Sequence, residues 1–129
     1  MSNWLEYEFE HKIQIILSDI EYYKPEHHFG RPFITAYQLA IEFSHRFPDD
    51  VSRLGYQIGG EGIGERVSLA QYLAGQLSDR IKTGEITNIE GSFLSNNHLR
   101  EILFDNNGQQ IKSSLTKTQF DLSLFRLRD

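Results

Sequence analysis

Four glycines, Gly59, Gly60, Gly62 and Gly64, stand within six residues, and the last of them precedes Ser68 by four. Ser68 opens a run with helical periodicity, so this loop leads into a helix start. Backbone N–H groups in such a loop, together with the positive end of a helix dipole, suit the binding of a phosphate. Gly59, Gly60, Gly62, Gly64, Arg66 and Ser68 are therefore the candidate phosphate or nucleotide loop. The specific motifs do not fit it. Gly64 is followed by Glu65 where a Walker loop needs Lys, and Gly60-Glu61-Gly62-Ile63-Gly64 spaces its last glycine too closely for a dinucleotide fingerprint. Glu61 and Glu65 also repel a phosphate, so a tightly turned connector is the competing reading.

Metal and catalytic chemistry have less to stand on. The chain holds five histidines, none of them paired at i, i+4, and no His-Glu-x-x-His. His27 and His28 are adjacent, so an extended backbone points them to opposite sides. A metal site would need the fold to assemble a set such as Glu26, His27 and Asp49; the expectation is no metal and no cofactor. Zero cysteines removes thiolate nucleophiles and disulfides, and fits a reducing compartment. No Gly-x-Ser-x-Gly elbow occurs. Carboxylate pairs such as Glu42 with Asp49 do not stand out from solvated surface acids. The reading leans against an enzyme and names no catalytic residue.

Helices followed by a β-hairpin is the element order of a winged helix. In that analogy the helix after Ser68 enters a groove, with Gln71, Gln76, Arg80 and Lys82 near base edges. Arg100 and Lys112 then meet phosphates, and Asn106-Asn107-Gly108 forms the wing tip. Two facts oppose it. Twenty residues lie between Phe47 and Ser68, where a helix-turn-helix has a short turn, and the formal net charge is -5. The acidity is uneven: seven acids face three bases in residues 1–43, six face five in 44–87, and five face five in 88–129.

A third class is protein interaction. Trp4, Tyr22 and Tyr23, with Ile15, widen the apolar face of the first helix beyond one stripe. Trp and Tyr favour interface centres, so these three are the candidate interface of a homo-oligomer, a dimer in the simplest case.

The elements that must position these residues follow from periodicity and punctuation. A chain of 129 residues fits a single domain, 1–129. Leu5, Phe9, Ile13, Ile16, Leu17 and Ile20 form a helical stripe that predicts a helix over about 4–23, closed by Pro25. Thr35 is the expected N-cap of a helix over 36–46, and Asp49 or Asp50 starts a short helix over 50–54 that ends at Gly55. Leu69, Leu73, Leu77 and Ile81 place a further helix over 69–82, capped by Ser68 and stopped by Gly84. Residues 87–94 read as extended. Asn107-Gly108 predicts a hairpin over about 100–114. Phe120, Leu122, Leu124 and Leu127 then alternate in a terminal strand, interrupted by Phe125 and expected to pair on that hairpin.

The fold class is α+β. No apolar run reaches the roughly 18 residues of a membrane span, and the acidic start resembles no signal peptide. The expected function is a small cytoplasmic regulatory or interaction domain without enzymatic activity. A winged-helix-like DNA-binding regulator is the alternative, and a phosphate or nucleotide site at the glycine loop the third.

Overall fold

Three strands far apart in the chain meet in one sheet, and helices cover it. The computed structural model describes residues 3–60, 68–116 and 118–128. In chain order the elements are α1 (Asn3–Glu6), α2 (Phe9–Ser18), β1 (Ile34–Thr35), α3 (Ala36–Arg46), α4 (Pro48–Leu54) and α5 (Leu69–Thr83), then β2 (Ile89–Leu94), β3 (Leu103–Asn106), β4 (Gln109–Lys112) and β5 (Leu122–Leu127). The α+β class, with helices first and antiparallel strands after them, is as the sequence predicts.

The first predicted helix is broken. Glu8 adopts left-handed angles, φ 53° and ψ 43°, between α1 and α2. The reason is packing. Trp4 and Phe9 stack at 5.5 Å, whereas five residues along an unbroken helix set two side chains about 140° apart. Phe9 also stacks on Phe43 at 4.9 Å and leans on Tyr72 at 5.4 Å, so one ring joins α1, α3 and α5. Helix α2 ends at Ser18 rather than running to Tyr23. The Ser18 hydroxyl donates back to the Ile15 carbonyl at 2.7 Å, and the Asp19 N–H takes the Ile15 and Ile16 carbonyls. Pro25 lies beyond that stop and does not set it.

The other helices keep their signals. Thr35 and Gln38 form a reciprocal capping box on α3. Pro48 begins α4, two residues before the predicted start, because a first-turn proline loses no hydrogen bond. Gly55 and Gly84 sit at φ 73° and 84°, as left-handed C-caps. Leu69, Leu73 and Leu77 are fully buried, so the leucine stripe of α5 is core. Lys12 on α2 makes an ion pair with the buried Asp50 on α4 and stands 5.1 Å above the Phe47 ring.

The sheet order is β1-β5-β2, all antiparallel, while β3 and β4 form a separate hairpin. The terminal strand therefore pairs with β1 and β2, not with the hairpin. The hairpin turn is the predicted one: Asn107 and Gly108 both have positive φ, as a two-residue type I′ turn requires. Phe125, which interrupts the alternation, is the residue the sheet buries. It lies opposite Gly91, with its ring 3.5 Å from where a Cβ on Gly91 would be. Phe120, on the other hand, is exposed.

Burial pushes the Tyr72 hydroxyl above its ordinary value of 10.0; nearby Tyr56 adds to the shift and Arg80 opposes it. The neutral phenol is thus favoured in the folded chain. Its contribution to stability is complete below pH about 10 and is lost as pH rises through the higher folded value. Urea midpoints measured from about pH 9 to 11 should fall less steeply in Tyr72→Phe than in the wild type. The helix break makes a prediction of sign. Glu8→Gly relieves a left-handed non-glycine residue and should stabilise by about 0.5–1 kcal/mol in denaturant unfolding. In an unbroken helix the same change would cost about 1 kcal/mol.

Candidate functional site

Helix α5 turns a strip of small side chains to one side. Ala70, Ala74 and Ser78 recur at four-residue spacing, with Gln71 and Gly75 beside them. Across from this strip runs the connection from β4 to β5, and between the two opens a cleft of about 960 Å³. Phe93 of β2 and Phe120 stand at its mouth, 68% and 63% exposed, while Leu122 closes it from within at 1%.

The wall is held by two polar residues, Tyr37 and Asn96. The Tyr37 hydroxyl accepts from the Ser114 N–H at 3.0 Å and lies 3.0 Å from the Ser114 hydroxyl. The Asn96 side-chain amide donates to the carbonyls of Leu115 at 3.1 Å and Phe120 at 2.7 Å, and the Asn96 N–H donates to the Asp121 carboxylate at 3.0 Å. Asn96 thus fastens the connection as a clamp. Sequence reasoning missed it, because an Asn in Asn96-Asn97-His98 signals a turn and nothing about what its amide will hold. Ser114 and Lys117 also have Ser-x-x-Lys spacing, which sequence reasoning passes over. Lys117 lies outside the described residues, and the Ser114 hydroxyl is engaged with Tyr37.

The glycine loop touches this cleft at its described end, since Gly60 and Ser68 both line it. Gly62, Gly64 and Arg66 lie outside the described residues. Gly59 and Gly60 have φ 126° and 117°, a region L side chains rarely enter. A Cβ at Gly59 would stand 2.7 Å from the Ser68 hydroxyl, and one at Gly60 would stand 3.0 Å from both Ile111 and the Lys112 carbonyl. The chain passes too close to the α5 cap and to β4 for any side chain there.

The start of α5 is also already satisfied. Leu69 N–H donates to the Gln57 carbonyl at 2.6 Å and Ala70 N–H to the Ile58 carbonyl at 2.9 Å. Gln71 N–H donates to the Ser68 hydroxyl at 3.1 Å. The first three N–H groups of the helix, which an anion would need, have internal acceptors.

The residues considered for nucleic acid are scattered. Gln71 faces the cleft, whereas Gln76 accepts from the Arg80 guanidinium at 3.2 Å and 3.3 Å on another side. Arg80 also pairs with Glu85 and lies 4.8 Å over the Trp4 ring. Lys112 pairs with Glu101 at 2.9 Å, and Lys82 and Arg100 are exposed. These cations do not form one basic face.

Nor are the interface candidates brought together. Trp4 is 1% exposed, inside the core, because the helix break turns it onto Phe9. Tyr22 packs under Arg31 at 5.7 Å, and Tyr23 is exposed in the segment after α2. His27 and His28 stack on each other at 4.3 Å instead of pointing apart, since the backbone turns there rather than extending. Among the described residues, no group of three or more His, Asp or Glu converges as a metal site would require. Compared with known proteins, the chain matches no family, no curated protein and no solved structure.

The close approach at Gly60 makes a stability prediction. Gly60→Ala should lower the unfolding free energy by about 2 kcal/mol, read from urea denaturation. An unchanged midpoint would mean that the loop is loose at this point.

Proposed function

We propose that the protein is a non-enzymatic interaction domain of the cytoplasm that binds an uncharged, apolar segment of another polypeptide in the cleft beside α5. The observation carrying this reading is the chemistry of the cleft. Two exposed phenylalanines flank its mouth, and hydroxyl and amide side chains such as Ser78, Gln119 and Ser123 line it. Among the described lining residues there is no Lys, Arg or His, and Asp121 accepts the Asn96 N–H through one oxygen of its carboxylate. An anionic segment would lose its hydration there and gain no partner, and a cationic one would find a single carboxylate with one oxygen already engaged. A neutral one can bury side chains on Phe93 and Phe120 while its backbone pairs with the hydroxyls.

The absence of cysteine supports a reducing compartment, and no helix among the described residues is long and apolar enough to cross a membrane. Assembly of the chain with itself is the other part of the reading. The winged-helix alternative gains no support, since Arg80 and Lys112 are engaged in ion pairs.

The probe is a library of capped octapeptides, one half neutral and rich in Leu, Val and Phe, the other rich in Lys and Glu. Neutral peptides should shift the amide resonances of Gln71, Gly75, Ser78 and Ser123, and Phe120→Ser should weaken that binding about tenfold, the loss of roughly 1.4 kcal/mol at an anchor. Shifts confined to other surfaces, or equal binding of the charged half, would overturn the docking reading.

A further inference from the structure

β2 is a sheet edge six residues long whose outer side has no partner among the described residues. Its four last residues, Gly91 to Leu94, are all exposed. Which backbone groups face outward follows from the ladder. Arg128 N–H donates to the Asn88 carbonyl at 2.8 Å, one step beyond the Ile89–Leu127 pair. In an antiparallel ladder hydrogen-bonded residues alternate, so Asn88, Glu90, Ser92 and Leu94 turn their N–H and C=O to β5. Gly91 and Phe93 turn theirs to the exposed edge, whereas Ile89, of the same parity, is fully buried. An array of alternating donors and acceptors in this spacing is complementary to one kind of ligand, an extended strand.

Natural edges are blunted by brevity, lysine, proline or a bulge. The opposite edge is blunted in this way, since β1 has only two residues. β2 contains no Lys and no Pro, and its register with β5 runs without a bulge from Ile89 to Leu94. It also carries Phe93, 68% exposed, and the exposed Leu94. Its one charge, Glu90, is turned into its own sheet by Arg126 and by Arg128 at 3.4 Å.

We propose that β2 is a homodimer interface, on which a second copy of this chain adds its own β2 antiparallel about a two-fold axis at Ser92. The strand is complementary to itself, Phe93 meeting Gly91 on both sides of the axis, and charge selects the register. The axis at Ser92 sets Phe93 opposite the partner's Gly91, beside the Phe125 ring that lies over that glycine, and Leu94 opposite the partner's Glu90. The two Glu90 residues are then offset by four positions, about 13 Å along the strands, beyond the roughly 10 Å screening length at 0.1 M salt. An axis at Gly91 would halve that offset. With the axis at Ser92, Gly91 and Phe93 exchange both backbone hydrogen bonds with Phe93 and Gly91 of the other copy, four bonds in all. The two sheets become one, in the order β1-β5-β2-β2-β5-β1. The interface rests on the self-assembly part of the function proposed above; Phe93 is shared with the cleft, so the two readings are tested with different variants.

The test uses the whole chain in sedimentation equilibrium, with circular dichroism as the folding control. Wild type should sediment at about twice its 15.0 kDa chain mass. Ser92→Lys and Ser92→Glu change an exposed side chain and place like charges face to face at the axis. Each alone should dimerise about fivefold more weakly or worse, whereas an equimolar mixture should recover the dimer as a heterodimer. Amide exchange at Gly91 and Phe93 should slow as concentration rises, while Ser92, bonded within its own sheet, stays unchanged. A monomer at every concentration, a dimer indifferent to both variants, or a mixture that fails to recover would overturn the proposal. Peptide binding in the cleft, read separately with Phe120→Ser, survives or fails on its own.

Discussion

The sheet depends on β5 being last in sequence and central in space. β1 and β2 are separated by more than fifty residues and share no hydrogen bond; each exists as a strand because β5 lies between them. Phe125 supplies the buried ring over Gly91, and Leu122 closes the inner end of the cleft. Arg126 completes the junction. Its guanidinium pairs with Glu90 on β2, donates to the carbonyls of Phe29 and Arg31 at 2.6 Å and 2.8 Å, and lies 4.3 Å over the Phe33 ring. One side chain thus fastens the irregular segment before β1 to the far strand. Closing such long loops costs entropy that the contacts of β5 must repay.

The parts legible in the sequence are those whose causes are local. A capping box between Thr35 and Gln38, the serine cap before α5, and the Asn107-Gly108 turn are each decided by atoms within four residues. The break at Glu8 has no local cause. Glutamate has no preference for left-handed angles, and what holds it there is the stack of Trp4 on Phe9 and Phe9 on Phe43, a tertiary contact. The partner of β5 was hidden for a related reason. Alternation states that a strand has two faces, but not which strand it will join. Phe125 is out of phase with the leucines around it and found its place only because Gly91 lies opposite.

The candidate site was less legible than the fold. Glycine spacing drew attention to a loop whose first two glycines are explained by steric approach to Ser68 and to β4. A steric glycine and a phosphate-binding glycine look alike in sequence, because both need only the absence of Cβ. They differ in what the neighbouring N–H groups do. Here the N–H groups at the start of α5 are spent on Gln57, Ile58 and Ser68. The cleft, for its part, is built from residues with no motif among them: small side chains along α5, a clamp from Asn96, and two phenylalanines that remain outside the core.

Phe93 belongs to both surfaces, which makes them one problem in coupling. Its ring stands at the mouth of the cleft, and its backbone N–H and C=O lie on the open edge of β2. In the proposed dimer the ring lies opposite a glycine of the second copy, and its exposed area falls on assembly. A peptide held by the same ring must then bind one assembly state more strongly than the other. By linkage, whatever factor dimerisation applies to peptide affinity, the peptide applies to dimerisation. A ring buried against Gly91 is less available to the cleft, which gives the coupling a negative sign. A ring merely held in place by its new neighbour is a preorganised anchor, and the sign becomes positive. The Phe125 ring that already lies over Gly91 favours the first case, because Phe93 meets an aromatic face there on assembly and is drawn from the cleft.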